Sequence, residues 1–353
     1  MKKINFIQDE ATPHNNIFIK GLVNELGVNN VDLYYSLKKS EQYLWESDLS
    51  NEIKESTIYG KKINFSLIWK FLKKSNKEVF FMVGWSNPTT KILFLISVLF
   101  RLDLYMWFDY PNETAERNLI NKFLRKFFYF LLKTSNIKIY CVGKITIDYF
   151  LSKKFNINRL ENLPIQVEVK DIIKKKNNGK FVFFSGSRLV KDKGYDILLE
   201  ALSLLETSEE YCIRLVGTGP EKENLEKQAN LLSLTERIEF LGWLSPEDYI
   251  NEIQRCDVFI HPARVDAYGG SAIALALGTP VIGSNKAGSV IECVVDGENG
   301  FIYDPEDREK LAGFINRFIK ERDLAPRMSL SALEYAKKYN TEYWVDKFIR
   351  GVN

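Results

Sequence analysis

Two cations and one acid-bearing glycine turn are the residues whose spacing could do chemistry in this sequence. Arg188 and Lys193 stand five apart in Phe184-Ser-Gly-Ser-Arg-Leu-Val-Lys-Asp-Lys-Gly-Tyr, where an apolar strand pattern runs out into a loop and a helix begins near Gly194. A guanidinium that grips two oxygens and an ammonium that acts as a point charge suit a diphosphate. The plainer alternative is that Lys191 and Lys193 only solubilise a loop. A second strand-to-helix turn, Val216-Gly-Thr-Gly-Pro-Glu, carries Gly217 and Gly219. It is not the dinucleotide fingerprint GxGxxG, because Lys222 stands where the third glycine belongs. The third stretch runs from Cys256 to Asp304 and contains Asp266-Ala-Tyr-Gly-Gly-Ser between two buried-strand patterns, DVFIHP and TPVIGS. A strand, a glycine turn and a helix opening can cradle an anion, since helix N-terminal NH groups point outward there and glycine lets backbone approach. An unliganded βα corner would read the same way.

The elements that must position these residues alternate along the chain. KINFIQ (3–8) reads as a first strand, followed by the loop Asp9–Asn15 and a helix through Leu26. VDLYY, VFFMVG (79–84), LDLYMWF and IKIYCVG (137–143) continue as strands, with Ser86 capping a helix that reaches Arg101. Residues 38–62 are polar and carry no clear pattern. After Asn162-Leu-Pro-Ile, residues 166–179 read as a Lys- and Asn-rich linker. A second alternation then follows: KFVFFSG, a helix Gly194–Leu205, CIRLVG, a helix Glu221–Leu232, IEFLG, a helix Ser245–Arg255 and the Cys256–Asp304 stretch. A last helix is expected near Arg308–Glu321. Strand–helix alternation of this kind builds parallel sheets with helices on both faces, and a length of 353 residues exceeds what one core usually fills. Two such halves are expected to face each other across a cleft lined by strand C-terminal ends.

Composition is that of an ordinary soluble globular protein, 45% hydrophobic and 27% charged. The four cysteines, Cys141, Cys212, Cys256 and Cys293, sit in or beside apolar runs with no CxxC pair, which reads as reduced thiols in a cytoplasmic protein. His14 and His261 are the two histidines, far apart in sequence, so no zinc site is expected. Met-Lys-Lys-Ile-Asn-Phe enters a strand directly and has no signal-peptide character. The net charge of +3 conceals an asymmetry: residues 1–165 hold 24 Lys and Arg against 16 Asp and Glu, +8, and the remainder 25 against 30, −5. Basic and aromatic residues interleave in Phe65–Lys77 and Asn121–Lys138, which suits an anionic membrane surface or, equally, a solvated helix face. Ile92–Phe100 is apolar but too short to span a bilayer before Arg101 and Asp103. No basic stripe favours nucleic acid.

In order, SGSRLVKDKGYDILLEAL, LVGTGPEKENLEKQA, FLGWLSPEDYINEIQRCDVFIHPAR and DAYGG…ALGTPVIGS…AGSVIECVVDGENGFIYD resemble the C-terminal half of glycosyltransferase family 4, over roughly residues 180–320. The resemblance implies a GT-B fold, an α/β architecture of two Rossmann-like doubly wound domains: 1–165 for the acceptor, 166–335 for the donor, and 336–353 a C-terminal helix packing back toward the first. It implies a retaining, metal-independent hexosyltransferase without a cofactor, whose donor substrate is a nucleotide-sugar, UDP- or GDP-linked. Its acceptor would be a glycan or lipid-linked glycan in bacterial surface polysaccharide synthesis, met by a cytoplasmic protein peripheral at the inner membrane face.

By position, the resemblance gives Arg188 and Lys193 the donor diphosphate and Asp266 the place of the first glutamate of the E-x7-E motif, beside the donor sugar. Tyr268, Gly269, Gly270 and Ser271 would form the turn under the phosphates. Gly186, Gly217, Gly219 and Trp243 would flank the nucleotide, and Glu292 stands where an acid commonly follows the PVI strand. Asp109 lies about where relatives carry a histidine near the donor sugar. Asp109 as a catalytic residue, or the first loop with His14 and Asn15 on the acceptor side, would orient the acceptor hydroxyl or take its proton, although an Asx turn before Pro111 and a capping loop explain Asp109 and His14 as well. One departure is plain: the second motif glutamate is absent, with Ala274 or Ile273 in its place. That leaves a non-catalytic GT-B module, binding a nucleotide or a partner transferase, as the rival reading. A sugar-nucleotide epimerase of similar fold is a third, disfavoured by the Arg188–Lys193 spacing.

Overall fold

The computed structural model describes residues 2–10, 12–37, 57–58, 62–111, 119–167 and 179–352. The chain divides into two compact units, one of residues 1–166 with 341–353, the other of residues 167–340.

In the first unit the order is β1 (Ile4–Glu10), α1 (Pro13–Leu26), β2 (Val31–Leu37), β3 (Thr57–Ile58), α2 (Phe65–Lys74) and β4 (Val79–Val83). It continues with α3 (Pro88–Phe100), β5 (Tyr105–Phe108), α4 (Leu119–Thr134), β6 (Lys138–Cys141), α5 (Gly143–Ser152) and β7 (Leu160–Asn162). All seven strands pair parallel in the order β3-β2-β1-β4-β5-β6-β7. The strand period of two divides the core between faces. Phe80 and Met82 of β4 join the cluster beneath α2, α3, α4 and α5, with Phe71, Phe94, Leu132 and Phe150. Phe81, between them, faces the other way, into rings from α1 and the chain's last helix.

The second unit runs β8 (Phe181–Gly186), α6 (Tyr195–Ser203), β9 (Tyr211–Val216), α7 (Lys222–Leu231), β10 (Ile238–Gly242), α8 (Pro246–Arg255) and β11 (Val258–His261). Then come α9 (Ser271–Ala276), β12 (Val281–Ser284), α10 (Gly288–Cys293), β13 (Gly300–Tyr303), α11 (Arg308–Lys320) and α12 (Leu324–Lys338). Its six parallel strands lie in the order β10-β9-β8-β11-β12-β13, the doubly wound order in which the first and fourth strands of the unit are neighbours. Helix α13 (Thr341–Val352) returns to the first unit, where Phe348 packs on Phe18, Phe81 and Tyr140 with ring centroids 4.6–5.3 Å apart.

Several boundaries differ from the sequence expectation. Asn87, not Ser86, caps α3: its side chain accepts from the Thr90 amide at 2.9 Å, Thr90 Oγ1 accepts in return, and Pro88 takes the first helical position. The first loop is shorter than Asp9–Asn15, because β1 runs through Glu10 and Thr12 already caps α1. Asn15 is therefore helical, donating to Gln8 Oε1 at 2.7 Å. Nearly all of the 38–62 stretch and of the 166–179 linker lies outside the described residues, as does the His14 side chain. The four cysteines are free and buried. Among the described residues, no helix is long and apolar enough to cross a membrane.

Candidate functional site

Strand order decides where a site can form in the second unit. The chain leaves β8 in one direction and β11 in the other, so the loops after these neighbouring strands diverge and leave a crevice at their C-terminal ends. The β8 loop carries Arg188 and Lys193; the β11 loop carries Asp266.

Backbone hydrogen bonds hold the two loops together. The amides of Arg264 and Val265 donate to the Asp192 carbonyl at 2.8 and 3.1 Å. Gly194 adopts φ +66°, and a Cβ there would collide with the Pro262 carbonyl, so only glycine permits this approach. Arg264 then bolts the β11 loop to α6 through a two-pronged pair with Asp196 (2.7 and 2.9 Å) and reaches Glu306 at 2.6 Å. On the other side, Gly217 and Gly219 let the β9 turn pass against the carbonyls of Ser187 and Leu189. The Leu189 amide donates to Thr218 at 2.9 Å.

These constraints bring Lys193 Nζ to 2.7 Å from Asp266 Oδ2. The same oxygen lies 3.0 Å from His261 Nε2, and His261 Nδ1 lies 2.7 Å from Ser271 Oγ. The result is an unbroken relay, Ser271–His261–Asp266–Lys193, with His261 and Ser271 buried. Burial alone would raise the Asp266 carboxyl, but its hydrogen bond to His261 and the adjacent Lys193 ammonium hold it well below the usual carboxylate range. Asp266 Oδ1 makes no hydrogen bond among the described residues. Ser271 resembles the serine of a hydrolytic triad only in its partner: it is fully buried and cannot reach a substrate as a nucleophile. The relay is a scaffold that aims a carboxylate and an ammonium.

The remaining expected residues fall into distinct places. Arg188 is exposed and makes no ion pair among the described residues, leaving its guanidinium available. Gly186 and Gly270 leave room for Tyr249, whose hydroxyl donates to the Gly186 carbonyl at 3.0 Å. Gly269, at φ +85°, sits directly over the His261 ring. Trp243 is half-exposed, just past the Gly242 carbonyl that accepts from the Gly217 amide at 2.7 Å. The Tyr268 ring is buried with its hydroxyl 3.6 Å from Cys293 Sγ, so only its backbone reaches the turn, where its carbonyl accepts from the Ser289 amide. Glu292 is buried on α10. Helix α9 carries no acid: Ala274 is fully buried and Ile273 partly so. In the first unit Asp109 is exposed and accepts from the Tyr110 amide at 2.8 Å.

His261 and Tyr249 were not among the residues the sequence singled out. In the sequence His261 bears only on metal ligation, although a histidine closing a buried strand five residues before Asp266 is a usable signal. Tyr249 carries no such mark, because its reach to Gly186 depends on how α8 packs.

Comparison with solved structures decides the architecture. Anabaena Alr3699/HepE, solved in complex with UDP, superimposes with a TM-score of 0.77 at 15% identity, covering 99% of each chain. The fold is GT-B. Within it, residues 167–338, just under half the chain, match the family model of the glycosyl transferases group 1. The chain is also similar to the uncharacterized glycosyltransferase MJ1178 of Methanocaldococcus jannaschii, 26% identical over 64% of this chain and 61% of that one. Against the capsular polysaccharide biosynthesis glycosyltransferase CapM of Staphylococcus aureus the identity is 30%, over 52% and 48%. The chain thus spans less than two thirds of the length of these curated relatives. The sequence likeness to CapM lies on the scale of one GT-B unit, whereas the fold likeness to HepE extends over the whole chain.

Proposed function

We propose that this chain is a retaining, metal-independent glycosyltransferase that moves a sugar from a UDP- or GDP-linked donor to a glycan, lipid-linked at a membrane surface, in surface polysaccharide synthesis. The observation that carries the reading is the pairing, at the β8–β11 crevice, of an unpaired Arg188 with a Lys193 held by Asp266. A diphosphate entering there meets two cations from one loop. As the bond from the sugar to the β-phosphate breaks, negative charge grows on the departing oxygen, and fixed cations stabilise that charge more than the ground state.

Retention would follow from front-face attack. The acceptor hydroxyl adds to the anomeric carbon on the side the phosphate leaves, and the departing phosphate oxygen takes the hydroxyl proton. In this reading the sugar contact is assigned to Asp266 Oδ1, since Oδ2 is occupied by Lys193 and His261. Acceptor binding is assigned to the first unit, at Asn15, His14 and Asp109. Support for the donor class comes from HepE, which was solved with UDP, and for the product class from the capsular role in the name of CapM. Donor binding and turnover test the reading: calorimetry with UDP-, GDP-, dTDP- and CMP-sugars, then product analysis by anomeric NMR. Binding of one class with formation of a product of retained configuration is expected; an inverted product would overturn the mechanism.

One observation favours the rival. With no acid on α9, the carboxylate that resembling enzymes place against the nucleotide ribose is missing. A non-catalytic module would bind a nucleotide in the same calorimeter and turn over nothing.

A further inference from the structure

We propose that the outer face of the α2–α3–α4 layer is a docking surface for an anionic lipid bilayer. Helix α4 leaves large apolar side chains in solvent along most of its length: Leu119, Ile120, Phe123, Leu124, Phe127 and Phe130, with Phe123 70% and Phe130 62% exposed. At 100° per residue, Phe123, Phe127 and Phe130 share one stripe. Lys122, Lys126 and Lys133 form a second stripe beside it, and these three have no acidic partner among the described residues. The opposite side of the helix is used up by packing: Leu132 is buried and Phe128 stacks on Phe94 of α3 at 5.5 Å. The exposed stripe is therefore surplus to the fold.

The two neighbouring helices repeat the pattern. On α2, Phe65 and Trp69 are 75% and 60% exposed, and Lys73 Nζ lies 4.6 Å above the Trp69 ring. On α3, Leu95 and Leu99 are exposed. All three helices bury their other faces in one common cluster, so the three stripes belong to a single layer. A monomer seldom leaves so many large apolar side chains exposed on neighbouring helices without a use.

Charge selects the occupant. Helices α2, α3 and α4 together contain eight Lys and Arg and no Asp or Glu. Lys70 and Lys74 are spent on Asp32 and Glu78 and Arg125 lies over the Tyr129 ring, whereas Lys73, Lys91, Lys122, Lys126 and Lys133 accompany the exposed stripes. Aromatic side chains insert at the headgroup boundary while lysines extend beside them to anionic phosphates, so each cation near the surface strengthens attachment to anionic lipid. The surface makes specific the membrane contact in the proposed function, yet it stands on this layer alone, not on the donor site.

The test uses the full chain with vesicles and neither donor nor acceptor. Partition into phosphatidylcholine vesicles containing phosphatidylglycerol should exceed that into pure phosphatidylcholine by about tenfold at low salt and weaken by a similar factor near 0.5 M salt. Phe123→Glu with Phe127→Glu should abolish partition, and Lys122→Glu with Lys126→Glu should remove the preference for anionic lipid. Both pairs are solvent-facing, so an unchanged thermal melt confirms intact folding; for a variant that melts early, Phe123→Ser with Phe127→Ser replaces it. Absence of partition overturns the proposal, as does partition that survives both charge variants. So does vesicle-independent self-association lost in the same variants, since a second copy would then be the occupant. Glycosyl transfer to a soluble acceptor should be unaffected in all of them, which separates this failure from failure of the transferase reading.

Discussion

Asp266 serves two neighbours with one oxygen. Oδ2 lies 2.7 Å from Lys193 Nζ and 3.0 Å from His261 Nε2, so replacing the carboxylate does more than remove the proposed sugar contact. Lys193→Ala should lower kcat by roughly 2–4 kcal/mol in barrier, the range for losing one donor aimed at developing negative charge, with a smaller change in KM. Steady-state rates with the correct donor read it directly, and a wild-type kcat would remove Lys193 from the site. Asp266→Asn should depress kcat and also destabilise the fold, toward the low end of the roughly 3–5 kcal/mol seen when one partner of a buried pair is deleted, because the pair is slightly exposed. The sign with pH follows from the depressed carboxyl. Its stabilisation is complete above the unfolded value near 4 and disappears as pH falls below that toward the folded value. The gap in melting temperature between wild type and Asp266→Asn should therefore be constant from about pH 5 to 7 and narrow below about pH 4. A gap that stays constant throughout would show that the ion pair is not its source.

At the scale of elements, the site depends on two loops lying closer than side chains allow. Gly194 passes against the Pro262 carbonyl and Gly269 covers the His261 ring, both with positive φ. Gly269→Ala adds a Cβ that meets His261 and stands 2.9 Å from Asp266 Oδ2, in a backbone conformation that already costs an alanine about 1–2 kcal/mol. The relay would have to open. Expected are a stability loss of roughly 2–3 kcal/mol by denaturant titration and a fall in kcat comparable with that of Asp266→Asn. Gly297, which also has positive φ but open space around it, is the control: Gly297→Ala should lose stability without losing rate.

On the scale of the molecule, the last helix belongs with the first residues. Phe348 of α13 is 1% exposed and packs on Phe18, Phe81 and Tyr140, so the first unit's core is completed only by the end of the chain. Phe348→Ala should cost roughly 3–5 kcal/mol of that unit's stability, the range for a deleted buried aromatic. Hydrogen exchange should locate the loss in β1, α1 and β4 and leave β8 and β11 protected. Uniform loss across both units would mean that the two unfold as one.

What the residues determined alone was the alternation, the two doubly wound halves and the chemistry-bearing turns, because strand period, glycine turns and helix caps are local signals. Arg188, Lys193 and Asp266 were legible for that reason: each sits where an apolar run ends and a helix pattern begins. The cap of α3 is Asn87 and not the expected Ser86, because a cap is chosen by which side chain reaches the third helical amide, and two polar neighbours look alike in a string. The tertiary structure decided what depends on strand order. Only the adjacency of β8 and β11 puts Lys193 against Asp266, and only then does His261, 68 residues from Lys193 in sequence, become part of one relay. It also turned the Tyr268 ring inward to Cys293 and left the aromatic stripe of α4 outside. Sequence periodicity marks a side chain's face on its own element; whether that face is covered depends on neighbours that come from far along the chain.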